Sequence, residues 1–94
     1  MSEEVKKDEL LAKMSENLKV LRNKLGLTQG ELAQRIGISR QTLVNIENKN
    51  RTMSWNTFVA LLTVFRAESA TSRLLDHFEI YIAGLCEYLV TPKK

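Results

Sequence analysis

The sequence predicts an all-α fold of five helices, the last of them long. Three observations predict it. Apolar residues recur at three- and four-residue steps along most of the chain, the repeat of a helix that buries one face. No stretch alternates apolar and polar residues as a half-buried strand does. One Pro and four Gly in 94 residues leave few breakers, which favours a few helices over many short strands.

The elements follow in order. Leu11, Met14, Leu18, Leu21 and Leu25 line one face of a first helix, and Gly26 stops it because Gly accepts positive φ. Thr28 caps a second helix, with Glu31 at the spacing of a capping box; Leu32, Ala33 and Ile36 are its apolar positions and Gly37 its end. Ser39 caps a third helix over residues 40–48. Residues 49–53 form a polar loop, and Ser54 caps a fourth helix whose Trp55, Phe58, Leu61, Leu62 and Phe65 share a side. A fifth is expected from Thr71 to Val90, followed by a frayed Thr-Pro-Lys-Lys tail.

Size and composition bound the function. The 94 residues suit a single domain with one core, and 44% hydrophobic with 27% charged residues is ordinary for a globular chain. One Cys excludes an internal disulfide and any multi-Cys zinc site. Residues 2–9 are polar, unlike a secretion leader, and no apolar run approaches the roughly 20 residues that span a bilayer. A cytoplasmic protein with no membrane partner and no cofactor is expected. The net charge of +3 is unevenly spread. Residues 19–51 carry seven basic side chains against two acidic ones, so the remainder nets −2. A basic block of this kind suits a polyanion on one face.

The third helix carries the chemistry. At 100° per residue from Arg40, Thr42, Ile46 and Leu43 fall at about 200°, 240° and 300°, toward a core. Arg40, Val44, Asn48, Gln41 and Asn45 occupy a continuous outward arc from about 0° to 140°. That arc holds no Asp, Glu or Lys. It offers instead a guanidinium, carboxamides and a methyl-bearing side chain. Arg grips guanine O6 and N7, Gln or Asn grips adenine N6 and N7, and Val packs on a thymine methyl.

Residues 18–62 resemble the helix-turn-helix of the phage repressor and Cro proteins, the XRE family. The resemblance rests on Leu21-Arg22, Gly26-Leu27-Thr28-Gln29, Glu31-Leu32-Ala33, Ile36-Gly37-Ile38-Ser39, Thr42-Leu43, Ile46-Glu47-Asn48, Arg51, Ser54 and Leu61. It implies a lambda-repressor-like DNA-binding domain, with residues 15–66 as its core and residues 70–90 as a further helix within one domain. It also implies a sequence-specific regulator of transcription, usually a repressor, bound to double-stranded DNA. By this likeness Arg40, Gln41, Val44 and Asn45 read bases. Gln29, Ser39, Thr42, Asn48, Lys49 and Arg51 grip or approach phosphates, and Arg22 and Glu47 form a structural ion pair. Relatives commonly carry Gly where Lys49 stands and Pro where Met53 stands. A left-handed residue is therefore expected at Asn48 or Asn50, types that tolerate it.

The final helix, read as continuous, places Tyr88, Tyr81, Leu74, Leu85, Phe78, Leu89, Ile82, Leu75 and Cys86 on an apolar arc of about 160°, wider than the ~100° a surface helix buries, with Leu74, Phe78, Tyr81, Ile82, Leu85 and Leu89 assigned to a dimer contact. Ile80 falls outside it. Four short helices cover only part of such an arc, so the rest is expected to make a homodimer contact. His77 and Cys86, nine positions apart on that helix, point in opposite directions, and no catalytic or metal-binding constellation is expected. Trp55 and Phe58 belong to the core by their spacing, and Lys6-Lys7 to a solvated face. Two other roles suit the same residues: an antitoxin whose last helix docks on a toxin, and a protein–protein adaptor that ignores DNA.

Overall fold

A computed structural model describes residues 3–81. It contains five helices: α1 (Glu3–Lys24), α2 (Gln29–Ile36), α3 (Arg40–Glu47), α4 (Trp55–Arg66) and α5 (Ser69–His77). No strand occurs among the described residues. Among the described residues the fold is all-α with five helices, the class the periodicity predicts.

α1 is the spine. Its Met14, Leu18 and Leu21 are fully buried, and it packs against α3, α4 and α5, while α2 packs on α3 and α4. The core closes around them with Leu32, Leu43, Ile46, Phe58, Leu61, Phe65 and Leu75. Trp55 stacks on Phe58 with ring centroids 5.0 Å apart, so both rings serve packing. The Lys7 ammonium sits over the Trp55 ring at 5.1 Å, a cation–π contact that pins the first half of α1 to α4.

The helix starts follow the side chains that cap them. Thr28 Oγ1 accepts from the Glu31 N–H at 3.1 Å, and Glu31 Oε1 accepts from the Thr28 N–H at 2.8 Å, completing a capping box. That hydrogen bond to the Thr28 backbone is the main reason the Glu31 carboxyl lies below its ordinary pKa. Its support for α2 is therefore present at neutral pH and lost on acidification. Ser39 and Ser54 accept from the N–H groups of Thr42 and Thr57 in the same way.

Four helices end in a common manner. After α1, α2, α3 and α5 one residue adopts a left-handed conformation: Gly26 (φ 72°), Gly37 (φ 78°), Lys49 (φ 63°) and Glu79 (φ 62°). In each case the following N–H reaches back five residues: Leu27 to Arg22, Ile38 to Ala33, Asn50 to Asn45 and Ile80 to Leu75. These are Schellman turns, which satisfy carbonyls that a helix end leaves open.

Two expectations are corrected here. The left-handed residue beyond α3 is Lys49, not Asn48 or Asn50. Burial of Ile46 and Met53 on either side of the loop sets the register of the turn, and that register outweighs the preference of Asn for positive φ. The continuous helix from Thr71 to Val90 is also overturned, because α5 stops at His77. Ile80, the residue outside the apolar arc, is fully buried. The chain must turn at Glu79 to bring it inward against Leu75, the contact that locks a Schellman turn. The opposed placement of His77 and Cys86 on one helix falls with it; His77 is exposed, and Cys86 lies outside the described residues. Of the residues assigned to a dimer contact, Leu74 and Phe78 are half-buried against the core. Tyr81 is 47% exposed, and Ile82, Leu85 and Leu89 lie outside the described residues.

α5 is fastened to α4 by polar contacts that spacing does not reveal. Arg66 donates to the Ser72 carbonyl, to Ser72 Oγ and to Asp76 Oδ1 at 3.1, 2.9 and 2.7 Å. The Arg66 hydrogen bond holds the Asp76 carboxyl below its usual range. Buried Thr71 donates its hydroxyl to the Phe65 carbonyl.

Candidate nucleic-acid interface

The interface is built on α3, and two buried side chains set its orientation. Leu43 and Ile46 are sealed in the core, so the opposite side of this eight-residue helix must face out. Arg40 and Gln41 are exposed there, and Val44 and Asn45 are half-exposed beside them. Gln41 Nε2 donates to Asn45 Oδ1 at 3.2 Å, so the two amides form a connected ridge. Thr42 is half-buried, and its hydroxyl accepts from Ser39 Oγ at 2.8 Å. Ser39 and Thr42 thus form one polar corner at the start of α3.

The single carboxylate of α3 is turned away from this surface. Glu47 accepts from Arg22 Nε at 2.7 Å and from Arg22 Nη2 at 3.2 Å. The pair is nearly enclosed, with side-chain exposures of 10% for Arg22 and 3% for Glu47. Arg22 Nη1 also donates to the Leu27 carbonyl at 2.9 Å, and Gln29 Nε2 donates to Glu47 Oε1 at 3.0 Å. The ion pair joins α1, the α1–α2 turn, α2 and α3. It leaves the outward side of α3 free of negative charge.

The start of α2 stands beside that of α3. The N–H groups of Gln29 and Gly30 lie in the first turn, where a helix supplies no acceptor. The Arg40 side chain passes over this turn, its Cδ 3.7 Å from where a Cβ on Gly30 would sit. Backbone donors, a half-buried amide and a guanidinium therefore converge at one edge, an arrangement suited to an anion. At the far end of α3, Asn48, Lys49 and Arg51 are all exposed on the turn and loop. Met53 is buried and anchors the loop to the core.

One contact carries no sequence signal. Ser15 Oγ donates to the Ile46 carbonyl at 3.0 Å, satisfying a carbonyl in the last turn of α3 from α1. A Ser on a helix has too many surface uses for its spacing to point to this.

Lys49 serves two ends that pull apart. A non-Gly residue in the left-handed region costs about 1–2 kcal/mol, whereas Gly costs more chain entropy on folding. Lys49→Gly is expected to stabilise the fold by about 0.5–1 kcal/mol. The same change removes a cation from the loop and should weaken attraction to a polyanion. A denaturant titration and a binding isotherm on one sample check the two signs.

A helix-turn-helix family model matches residues 18–67, just over half of the chain. No curated protein and no solved structure matches it. The matched stretch runs from the last third of α1 past the end of α4, and it contains the α2–α3 pair, the buried Arg22–Glu47 latch and the outward ridge of α3. The family is one of DNA-binding domains and not of enzymes. On this match and this geometry, the chain belongs to the XRE-type helix-turn-helix family.

Proposed function

We propose that this protein is a sequence-specific regulator of transcription that lays α3 in the major groove of duplex DNA. The observation that carries the reading is the outward side of α3, where Arg40, Gln41, Val44 and Asn45 stand together and the only carboxylate of the helix is locked inside. A solvated helix face normally carries acids and lysines, whereas this one carries the groups that recognise base edges. Gln29, the polar corner of Ser39 and Thr42, and the loop residues Asn48, Lys49 and Arg51 flank it, where they would meet phosphates.

The regulator acts as a repressor in the cytoplasm, by occupying an operator. One short helix gives few base contacts, so the protein binds as a homodimer, two copies reading half-sites about 34 Å apart. The exposed Tyr81, beside half-buried Phe78 and Leu74, is the part of the described surface that would face the second copy. Sedimentation at micromolar concentration that yields only a monomer overturns the dimer.

The test of the reading is selection from random duplex oligonucleotides, followed by two variants. Arg40→Ala should relax preference at one base pair and cost about 1–3 kcal/mol. Arg51→Ala should weaken all sequences alike and flatten the salt dependence. An unchanged operator preference in Arg40→Ala removes the base-reading role from that residue.

A further inference from the structure

An open concavity of about 550 Å³ lies between α1 and the loop that follows α3. Its floor is apolar, with Leu11 and Met53, and its two walls carry opposite charge. Asp8 and Glu16 line the α1 side, and Lys49 and Arg51 line the loop side. Among the described residues no ion pair within 4.0 Å joins the two walls. Acids and cations thus face one concavity without a direct ion pair to hold the cations in place.

We infer that Asp8 and Glu16 are built-in antagonists of phosphate binding, holding the affinity of the Lys49–Arg51 loop for a polyanion below what its cations alone would give. The inference rests on the DNA-binding reading for its biological meaning. Two effects act in the same direction. Each carboxylate lowers the local positive potential, and each repels the phosphates that the loop would draw toward the groove. Unit charges about 10 Å apart in water shift an equilibrium by about twofold. At about 0.1 M salt the screening length is also about 10 Å, so the effect survives there and fades near 1 M, where that length is about 3 Å. The device sets how much salt-dependent, sequence-independent affinity the protein has. It thereby raises the share of binding that must come from base contacts.

The test compares Asp8→Asn and Glu16→Gln with Glu68→Gln. Glu68 is exposed and has no capping hydrogen bond. It lies beyond the far end of α4, a helix of 12 residues or about 18 Å, from the loop. All three changes raise the net charge equally. Affinity is read as anisotropy of a labelled duplex of arbitrary sequence, and as the salt needed to elute each variant from immobilised heparin. At about 0.1 M salt, Asp8→Asn and Glu16→Gln should each bind the duplex about 1.3- to twofold tighter, with the gain vanishing near 1 M. Both should elute from heparin later than wild type, and Glu68→Gln should show little of either gain. Equal gains in all three variants, or none in Asp8→Asn and Glu16→Gln, overturn the antagonist role. A wild-type protein that ignores duplex DNA overturns the proposed function instead. The heparin comparison, which needs a polyanion but no base pairs and is referenced to Glu68→Gln, then still decides the role of the groove.

Discussion

Arg22→Ala is expected to cost the fold about 3–5 kcal/mol, the usual penalty for stranding one member of a buried ion pair. The geometry explains the size. Glu47 keeps only 3% of its side-chain surface, so water cannot replace what Arg22 provides. The substitution removes two hydrogen bonds to the carboxylate and one to the Leu27 carbonyl. Gln29 remains as a partner, but an amide does not neutralise a charge. In a domain of this size each kcal/mol moves the melting temperature by about 4–8 °C, so a fall of roughly 12–40 °C should appear in a thermal melt followed by circular dichroism. Arg22→Met combined with Glu47→Leu should recover most of the loss, because apolar replacement of both partners leaves no charge to strand. A single variant that loses less than about 1 kcal/mol would mean that the carboxylate reaches water and that the enclosure is not maintained in solution.

Val44→Glu should leave the fold nearly untouched and abolish duplex binding. Val44 sits on the ridge between Arg40 and the Gln41–Asn45 pair, half-exposed, and Glu has a better helix propensity than Val. Stability should therefore stay within about 1 kcal/mol of wild type. A carboxylate at this point would face a duplex that carries one charge per roughly 1.7 Å of its axis, and like charges brought together in an interface cost several kcal/mol. A loss of about 100-fold or more in affinity is expected, read by anisotropy alongside a thermal melt. If Val44→Glu binds duplex as well as wild type does, α3 is not the reading element. Val44→Ala separates charge from shape, since it deletes only the methyl contact and should cost far less.

The two residues in these tests differ in how visible they are in the sequence. The first four helices are legible from Leu11, Met14, Leu18 and Leu21, from the capping pair Thr28 and Glu31, and from the stops at Gly26 and Gly37, because each signal is local. Val44 is legible for the same reason: a helical projection from Arg40 places it outward without knowledge of the rest of the fold. Arg22 and Glu47 are 25 positions apart, and only the resemblance to a known family brings them together.

The end of α5 is hidden for a different reason. None of the six residues after His77 is Gly or Pro, and the apolar arc through Leu74, Phe78 and Tyr81 continues smoothly across them. The chain nevertheless turns at Glu79, because burying Ile80 against Leu75 outweighs the cost of a left-handed Glu. The one warning was Ile80 itself, an apolar residue on the wrong side of the projected helix. Lys49 shows the same principle beyond α3, where the demands of the core override the preference of the local residue.

The way α3 is held bears on how such a protein could diverge. Its attachment uses Leu43, Ile46 and the Glu47 latch, and none of these points at the solvent. The four outward positions take almost no part in that attachment. Paralogues that arise by duplication could thus exchange these four side chains and acquire new targets without refolding the scaffold, and laboratory libraries could randomise them with little loss of soluble product.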